Sequence, residues 1–156
     1  MKVAVLVNPR SGTASRTNLR EEPVRVAFQQ ADIDADVQIV DRRFLKEALR
    51  VAVGSGVDAV VVGGGDGTIS TAAGVLAGGD VPLGVLPLGT SNHFARDLGI
   101  PLTMDGAIRT ITQGTVCRLG LGEVNGHVFV NNSVLGFYPR VVKVRRAIRK
   151  RFSIDK

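Results

Sequence analysis

Residues 63–68 read Gly-Gly-Gly-Asp-Gly-Thr, a run with almost no side chains and a single carboxylate. Backbone N–H groups in such a run can approach an anion closely, and a helix opening directly behind it adds favourable potential. The lone acid, Asp66, would repel a bare phosphate but suits a phosphate that arrives with Mg²⁺. The chemistry indicated is capture of a nucleotide through its phosphates. A hairpin turn is the alternative, because Asp-Gly is a good turn pair. Against it, Ile69, Ala72, Ala73 and Leu76 fall on one helical face rather than in a returning strand. The lysine-containing P-loop is excluded, since no Gly-Lys-Ser/Thr occurs in the chain. The dinucleotide Gly-x-Gly-x-x-Gly spacing fails as well, with Thr68 in the third glycine's place when counted from Gly63.

Two other loops have the composition to join it. Asn8-Pro9-Arg10-Ser11-Gly12 is either an ordinary turn or a small-residue loop whose Ser11 hydroxyl and N–H groups contact phosphates, with Asn8 orienting it. Pro87-Leu88-Gly89-Thr90-Ser91-Asn92 reads as the start of a helix with Thr90 or Ser91 as N-cap. That role is compatible with phosphate contact, because both use the same free N–H groups. His93 is a candidate general base, although a surface or capping histidine is the plainer reading.

The elements that must position these loops alternate. Apolar, β-branched runs at Lys2–Val7, Asp36–Val40, Ala59–Val62 and Leu83–Leu86 read as strands. Between them, Asn18–Gln30 and Arg43–Val53 carry apolar residues at helical spacing, as in Leu45, Leu49, Ala52 and Val53. Short strands alternating with helices predict an α/β fold with a parallel sheet covered on both faces. Ligands bind such sheets at the carboxyl ends of the strands, which is where all three loops fall. After Gln113-Gly114 the texture changes. Cys117–Glu123 and His127–Asn131 read as two strands around a tight Asn125-Gly126 turn, the start of a β-rich second domain over 115–156 that follows an α/β domain over 1–114.

The bulk numbers fit a chain that buries one core: 156 residues, 44% hydrophobic, with one cysteine and therefore no intramolecular disulfide. The lone Cys117 and the short apolar N-terminal run predict a cytoplasmic location. The net charge of +6 is a poor average. Residues 140–156 hold eight basic side chains and one acid, whereas residues 1–139 are close to neutral. Val141, Val144, Ile148 and Phe152 lie at helical spacing among those cations. This is a basic amphipathic helix, suited to peripheral contact with an anionic membrane through 140–151 or to packing on a further domain. Nucleic-acid binding is not expected, with one tyrosine, no tryptophan and no aromatic interleaving. Self-association is expected from the unpaired edge and apolar surface of the hairpin after residue 115.

Asn-Pro-Arg-Ser-Gly, then Gly-Gly-Gly-Asp-Gly-Thr, then Pro-Leu-Gly-Thr-Ser-Asn-His-Phe-Ala-Arg-Asp-Leu-Gly-Ile-Pro, in that order, resemble the diacylglycerol kinase catalytic-domain family, which includes bacterial lipid kinases and the sphingosine and ceramide kinases. Residues 131–146 are similar to the bacterial branch. The resemblance implies an ATP-binding domain with the parallel sheet of NAD kinase and phosphofructokinase, a second β-rich domain, and an active site in the cleft between them. It implies ATP contacts from Asn8, Pro9, Arg10, Ser11 and Gly12, from Gly64, Gly65, Asp66, Gly67, Thr68, Ile69 and Ser70, and from Thr90, with Asp41 as the match after the second strand. Asp66 would meet Mg²⁺. The implied reaction is transfer of the γ-phosphate of Mg-ATP to the hydroxyl of a diacylglycerol-like lipid substrate. The family's general base and structural Mg²⁺ ligands lie late in the second domain, beyond the end of this chain, so little turnover is expected from these residues alone. One departure is His93, where many relatives have an acid. An NAD kinase-like enzyme is the rival expectation, since it shares the glycine-rich loop and the general fold, and a non-catalytic nucleotide- or membrane-binding module is the rival of another class.

Overall fold

Lys2–Val7 is one lysine followed by five apolar residues, and it forms the central strand β1 with all five apolar side chains buried. In the computed structural model, which describes residues 1–131, β1 lies between β2 (Asp34–Ile39) and β3 (Ala59–Gly64), and β4 (Leu83–Pro87) extends the sheet beyond β3. All three pairings are parallel, with Val5 opposite both Val37 and Val61. Alternation along β1 sends its side chains into two separate cores. Val3, Val5 and Val7 pack on one face with Val24 and Phe28 of α2 (Glu21–Gln29) and with Ala107 and Ile108 of α6 (Met104–Gln113). Ala4 and Leu6 pack on the other with Leu45 and Leu49 of α3 (Leu45–Gly54) and with Ile69 and Ala72 of α4 (Asp66–Leu76). A sheet covered on both faces explains why β1 and β3 read as unbroken apolar runs rather than alternating ones.

The order β2-β1-β3-β4 places a switch point between β1 and β3, because the chain leaves β1 toward one edge and β3 toward the other. The crevice at the carboxyl ends of those strands is where open parallel sheets accept ligands.

Two elements depart most from the sequence reading. The helix expected over 18–30 is two: α1 (Gly12–Thr17), then α2 from Glu21. Asn18 separates them, in the left-handed region at φ 47°, with its N–H returned to the Ala14 carbonyl. The six residues of α1 bury only Ala14 among those whose side chains are described, so no apolar periodicity announced it. The strand expected over 117–123 is confined to β5 (Gly122–Val124), paired with β6 (His127–Phe129). Asn125 and Gly126 turn between them at φ 51° and 73°, the two positive values a tight two-residue hairpin requires.

The hairpin lies on α4. A Cβ on Gly74 would stand 3.4 Å from that of Val128, and the Val130 N–H donates to the Ser70 hydroxyl at 3.4 Å. The basic helix read over 140–151 lies outside the described residues. Among those described, no helix is long and apolar enough to cross a membrane.

Candidate active site

The first loop begins at a buried asparagine. Asn8 closes β1, and its N–H donates to the Gly63 carbonyl of the neighbouring strand at 2.9 Å. Its side-chain Oδ1 accepts from the Arg10 N–H at 3.0 Å, which turns the chain. Its Nδ2 donates to the Thr68 hydroxyl oxygen at 3.0 Å, across to the glycine-rich loop. A buried amide whose bonds are spent on two loops fixes their spacing. Thr68 keeps its own proton to donate elsewhere. Ser11 is buried where α1 starts, and its N–H donates to the Asn8 carbonyl at 3.2 Å.

The glycines of the second loop answer to packing. A Cβ on Gly64 would stand 2.5 Å from the Thr68 Cβ, and one on Gly89 would stand 2.4 Å from the Gly65 Cα. One on Gly12 would meet the Thr90 hydroxyl oxygen at 2.7 Å. The three loops are therefore in direct backbone contact. Gly65 precedes α4 and its carbonyl accepts from both Thr68 and Ile69. The N–H groups of Asp66 and Gly67, ahead of them in the first turn, have no acceptor among the described residues. Gly67 is exposed, so an anion can reach them.

The third loop is closed by Asn92. This residue is buried, sits in the left-handed region at φ 50°, and accepts from the Gly89 N–H at 2.8 Å. Its Nδ2 donates to the carbonyls of Pro87 and Gly89 at 3.1 and 3.0 Å. Asn92, rather than Thr90 or Ser91, occupies the N-cap position of the short helix α5 (His93–Asp97). The capping acceptor comes from the second loop: Asp66 Oδ1 accepts from the Phe94 N–H at 3.0 Å. Thr90 and His93 stay exposed at the mouth.

Asp41 follows β2 and ties a fourth segment in. It accepts from the Arg43 N–H at 3.0 Å and the Arg43 Nε at 3.3 Å, and its second oxygen lies 3.5 Å from the Arg10 Nε. The Arg43 backbone N–H foremost, then the Arg43 and Arg10 side chains, hold its carboxyl below the usual carboxylate range, outweighing the desolvation that pushes the other way. Nothing in the sequence singles out the arginines at 42 and 43.

Other expected contacts sit less directly. The Ile69 side chain is buried in the core on α4's face of the sheet, and its N–H is spent on Gly65. It is a neighbour of the crevice and not a lining side chain. Pro9 is half-buried beside Asn8, and Ser70 turns its hydroxyl to the hairpin. No group of three or more metal-binding side chains exists among the described residues. Asp66 is the one carboxylate in the glycine-rich loop, and its Oδ2 accepts no hydrogen bond among those residues.

The chain compares with known proteins as this geometry suggests. Residues 2–124 match the model of the diacylglycerol kinase catalytic domain. A protein named "Probable lipid kinase YegS-like" from Pseudomonas aeruginosa is 41% identical over 130 residues, which are 82% of this chain and 39% of that protein. A diacylglycerol kinase from Mycobacterium tuberculosis is 38% identical over 127 residues, 74% of this chain and 40% of its own. The chain thus spans about two fifths of the curated relatives it matches. The crystal structure of a diacylglycerol kinase from Bacillus anthracis str. Sterne superposes with a TM-score of 0.65 at 29% identity, over 83% of this chain and 46% of that one. Three loops in contact at the carboxyl edge of a four-stranded parallel sheet, and a match over most of its length, lead to one conclusion: the chain belongs to the diacylglycerol kinase catalytic domain family.

Proposed function

We propose that this chain is the nucleotide-binding half of a lipid kinase, which transfers the γ-phosphate of Mg-ATP to the hydroxyl of a diacylglycerol-like lipid. The observation that supports it most is the convergence of Asn8 on Thr68, Gly12 on Thr90 and Gly65 on Gly89 around the open N–H groups of Asp66 and Gly67. Phosphoryl transfer asks a protein mainly for positioning and charge neutralisation. In this reading the loop backbone and the Thr68 and Thr90 hydroxyls hold the phosphates. The second Asp66 oxygen fits a Mg²⁺ ion that takes its remaining ligands from phosphate and water, the usual habit of that ion. Mg²⁺ bound there would neutralise phosphate charge.

The names of the relatives carry the lipid acceptor. We place the division between domains near residue 114, where apolar side chains turn outward: Val116 is 75% exposed and Leu119 46%. That surface suits a second domain or a second copy of the chain. We assign the general base to the part of the family fold that this chain does not match, and we place the protein in the cytoplasm, with peripheral membrane contact through 140–151. Calorimetry of Mg-ATP against NAD, followed by assays of labelled phosphate transfer to diacylglycerol or NAD, tests the proposal. Binding or phosphorylation of NAD in preference to ATP and lipid would overturn it.

A further inference from the structure

Three arginines surround the crevice on the β2 side, and they are not equivalent. Arg10 and Arg43 are both engaged by Asp41, at 3.5 and 3.3 Å. Arg42, between Asp41 and Arg43 in the chain, makes no ion pair or side-chain hydrogen bond among the described residues. Its guanidinium lies instead over the glycine-rich loop, 3.8 Å from where a Cβ on Gly67 would stand. The segment that delivers it is fixed on both sides. The Asp41 carboxylate accepts from the Arg43 N–H at 3.0 Å, and the Asp41 carbonyl accepts from the Phe44 N–H at 2.9 Å. An exposed cation is thereby held beside the two open N–H groups of Asp66 and Gly67. Of the nearby carboxylates, Asp41 is taken up by Arg10 and Arg43, and Asp66 gives one oxygen to the Phe94 N–H.

We infer that Arg42 grips the phosphate chain of the nucleotide, closing over it from the β2–α3 segment while the α4 N-terminus holds it from below. This inference rests on the nucleotide reading of the site. A guanidinium presents a planar fork of donors that matches phosphate oxygens two at a time, and it remains charged at any working pH. Helix N–H groups below and a guanidinium above engage the same anion from two directions, which neither does alone. Arg10 and Arg43 have their Nε atoms drawn toward Asp41, whereas the Arg42 guanidinium lies beside Gly67 with no acceptor among the described residues. A phosphate chain is thus recognised apart from the nucleoside, and nucleotides with longer chains gain most.

The test is calorimetry on the 156-residue chain and its R42A and R42K variants, with Mg-ATP, AMP and adenosine as ligands at low and moderate ionic strength. Arg42 is exposed and unpaired among the described residues, so R42A is expected to melt with the wild type. R42A is expected to weaken Mg-ATP binding about tenfold to a hundredfold, the range of a charge-assisted hydrogen bond, with adenosine unaffected. Its affinity should also fall less steeply with salt than the wild type's, since one screened contact is gone. R42K should recover part of the affinity, keeping the charge without the fork. Wild-type binding of Mg-ATP with R42A equal to it would overturn the role of Arg42 and leave the nucleotide reading standing. An equal loss for Mg-ATP and adenosine would mark Arg42 as structural and overturn it too. No nucleotide binding by the wild type would remove the nucleotide reading and this inference together.

Discussion

The Asp66 carboxylate caps the helix α5 from far along the chain, accepting the N–H of Phe94, 28 residues later, at 3.0 Å. The acid that the sequence suggests for Mg²⁺ therefore also fastens the second loop to the third. The two roles separate by substitution. Asp66→Asn keeps an acceptor oxygen for Phe94 and loses the charge. Asp66→Ala loses both. Both variants are expected to lose Mg-ATP binding, while Asp66→Ala alone loses about 1 kcal/mol of stability, the typical worth of a cap. Thermal melts paired with calorimetry decide it. Unchanged Mg-ATP affinity in Asp66→Asn would take this carboxylate out of metal binding.

Asn8 tests the linkage between the first and second loops. Its Nδ2 donates to Thr68, which leaves the threonine proton for a ligand. In Asn8→Asp the facing atom becomes an acceptor, and it draws that proton inward while adding a negative charge. Asn8→Asp is expected to bind Mg-ATP at least tenfold more weakly than the wild type, and Asn8→Ala to lose about 1–3 kcal/mol from the unpaired groups left behind. An Asn8→Asp protein with full nucleotide affinity would show that Thr68 gives no proton to the phosphates.

The glycines divide into those that packing demands and those that access demands. Gly89→Ala would put a methyl 2.4 Å from the Gly65 Cα and 2.6 Å from the Asn92 Oδ1, atoms with no room to move. A loss of about 1–3 kcal/mol is expected, and a lowered urea midpoint would register it. Gly67→Ala meets only Arg42, at 3.8 Å, so its stability should be equal to or slightly above that of the wild type. Its methyl would nonetheless stand on the anion's approach, and Mg-ATP affinity should drop. Equal melting points for the two variants would contradict this division.

Asp41 contributes a pH dependence of known sign. Its carboxyl is held below the usual range by the Arg43 N–H and by the Arg43 and Arg10 side chains, so the unfolded chain takes up this proton first as pH falls. The contribution is whole above the unfolded value, about pH 4, and is lost as pH falls through the lower folded value. Stability of the wild type should therefore decline more steeply below about pH 4 than that of Asp41→Asn. Parallel acid melting curves for the two proteins would count against the interaction.

Much of this protein was legible in one dimension because the information is local. β1 and β4 begin where their apolar runs begin, and the parallel α/β class follows from strands alternating with helices. The three loops announce themselves through glycine, proline and small polar residues, since close backbone contact excludes side chains whatever the rest of the chain does. The Asn125-Gly126 turn is local in the same sense. Where local signals are weak the sequence misleads, as at α1, which buries too little to show a period, and at the residues before Gly122, which pair with no strand among the described residues.

Tertiary structure alone decided the rest. The strand order β2-β1-β3-β4 brings loops 8–12, 63–67 and 87–92 to one crevice, and nothing in their spacing along the chain encodes that order. The bond from Asn8 to Thr68 spans 60 positions, and that from Asp66 to Phe94 spans 28. Asn92 is merely the last letter of the third loop in the sequence, whereas in the fold its side chain closes that loop on itself. Arg42 and Arg43 are indistinguishable as letters. Asp41 takes Arg43 and leaves Arg42 over Gly67, a difference set by which donor the folded backbone turns toward the carboxylate.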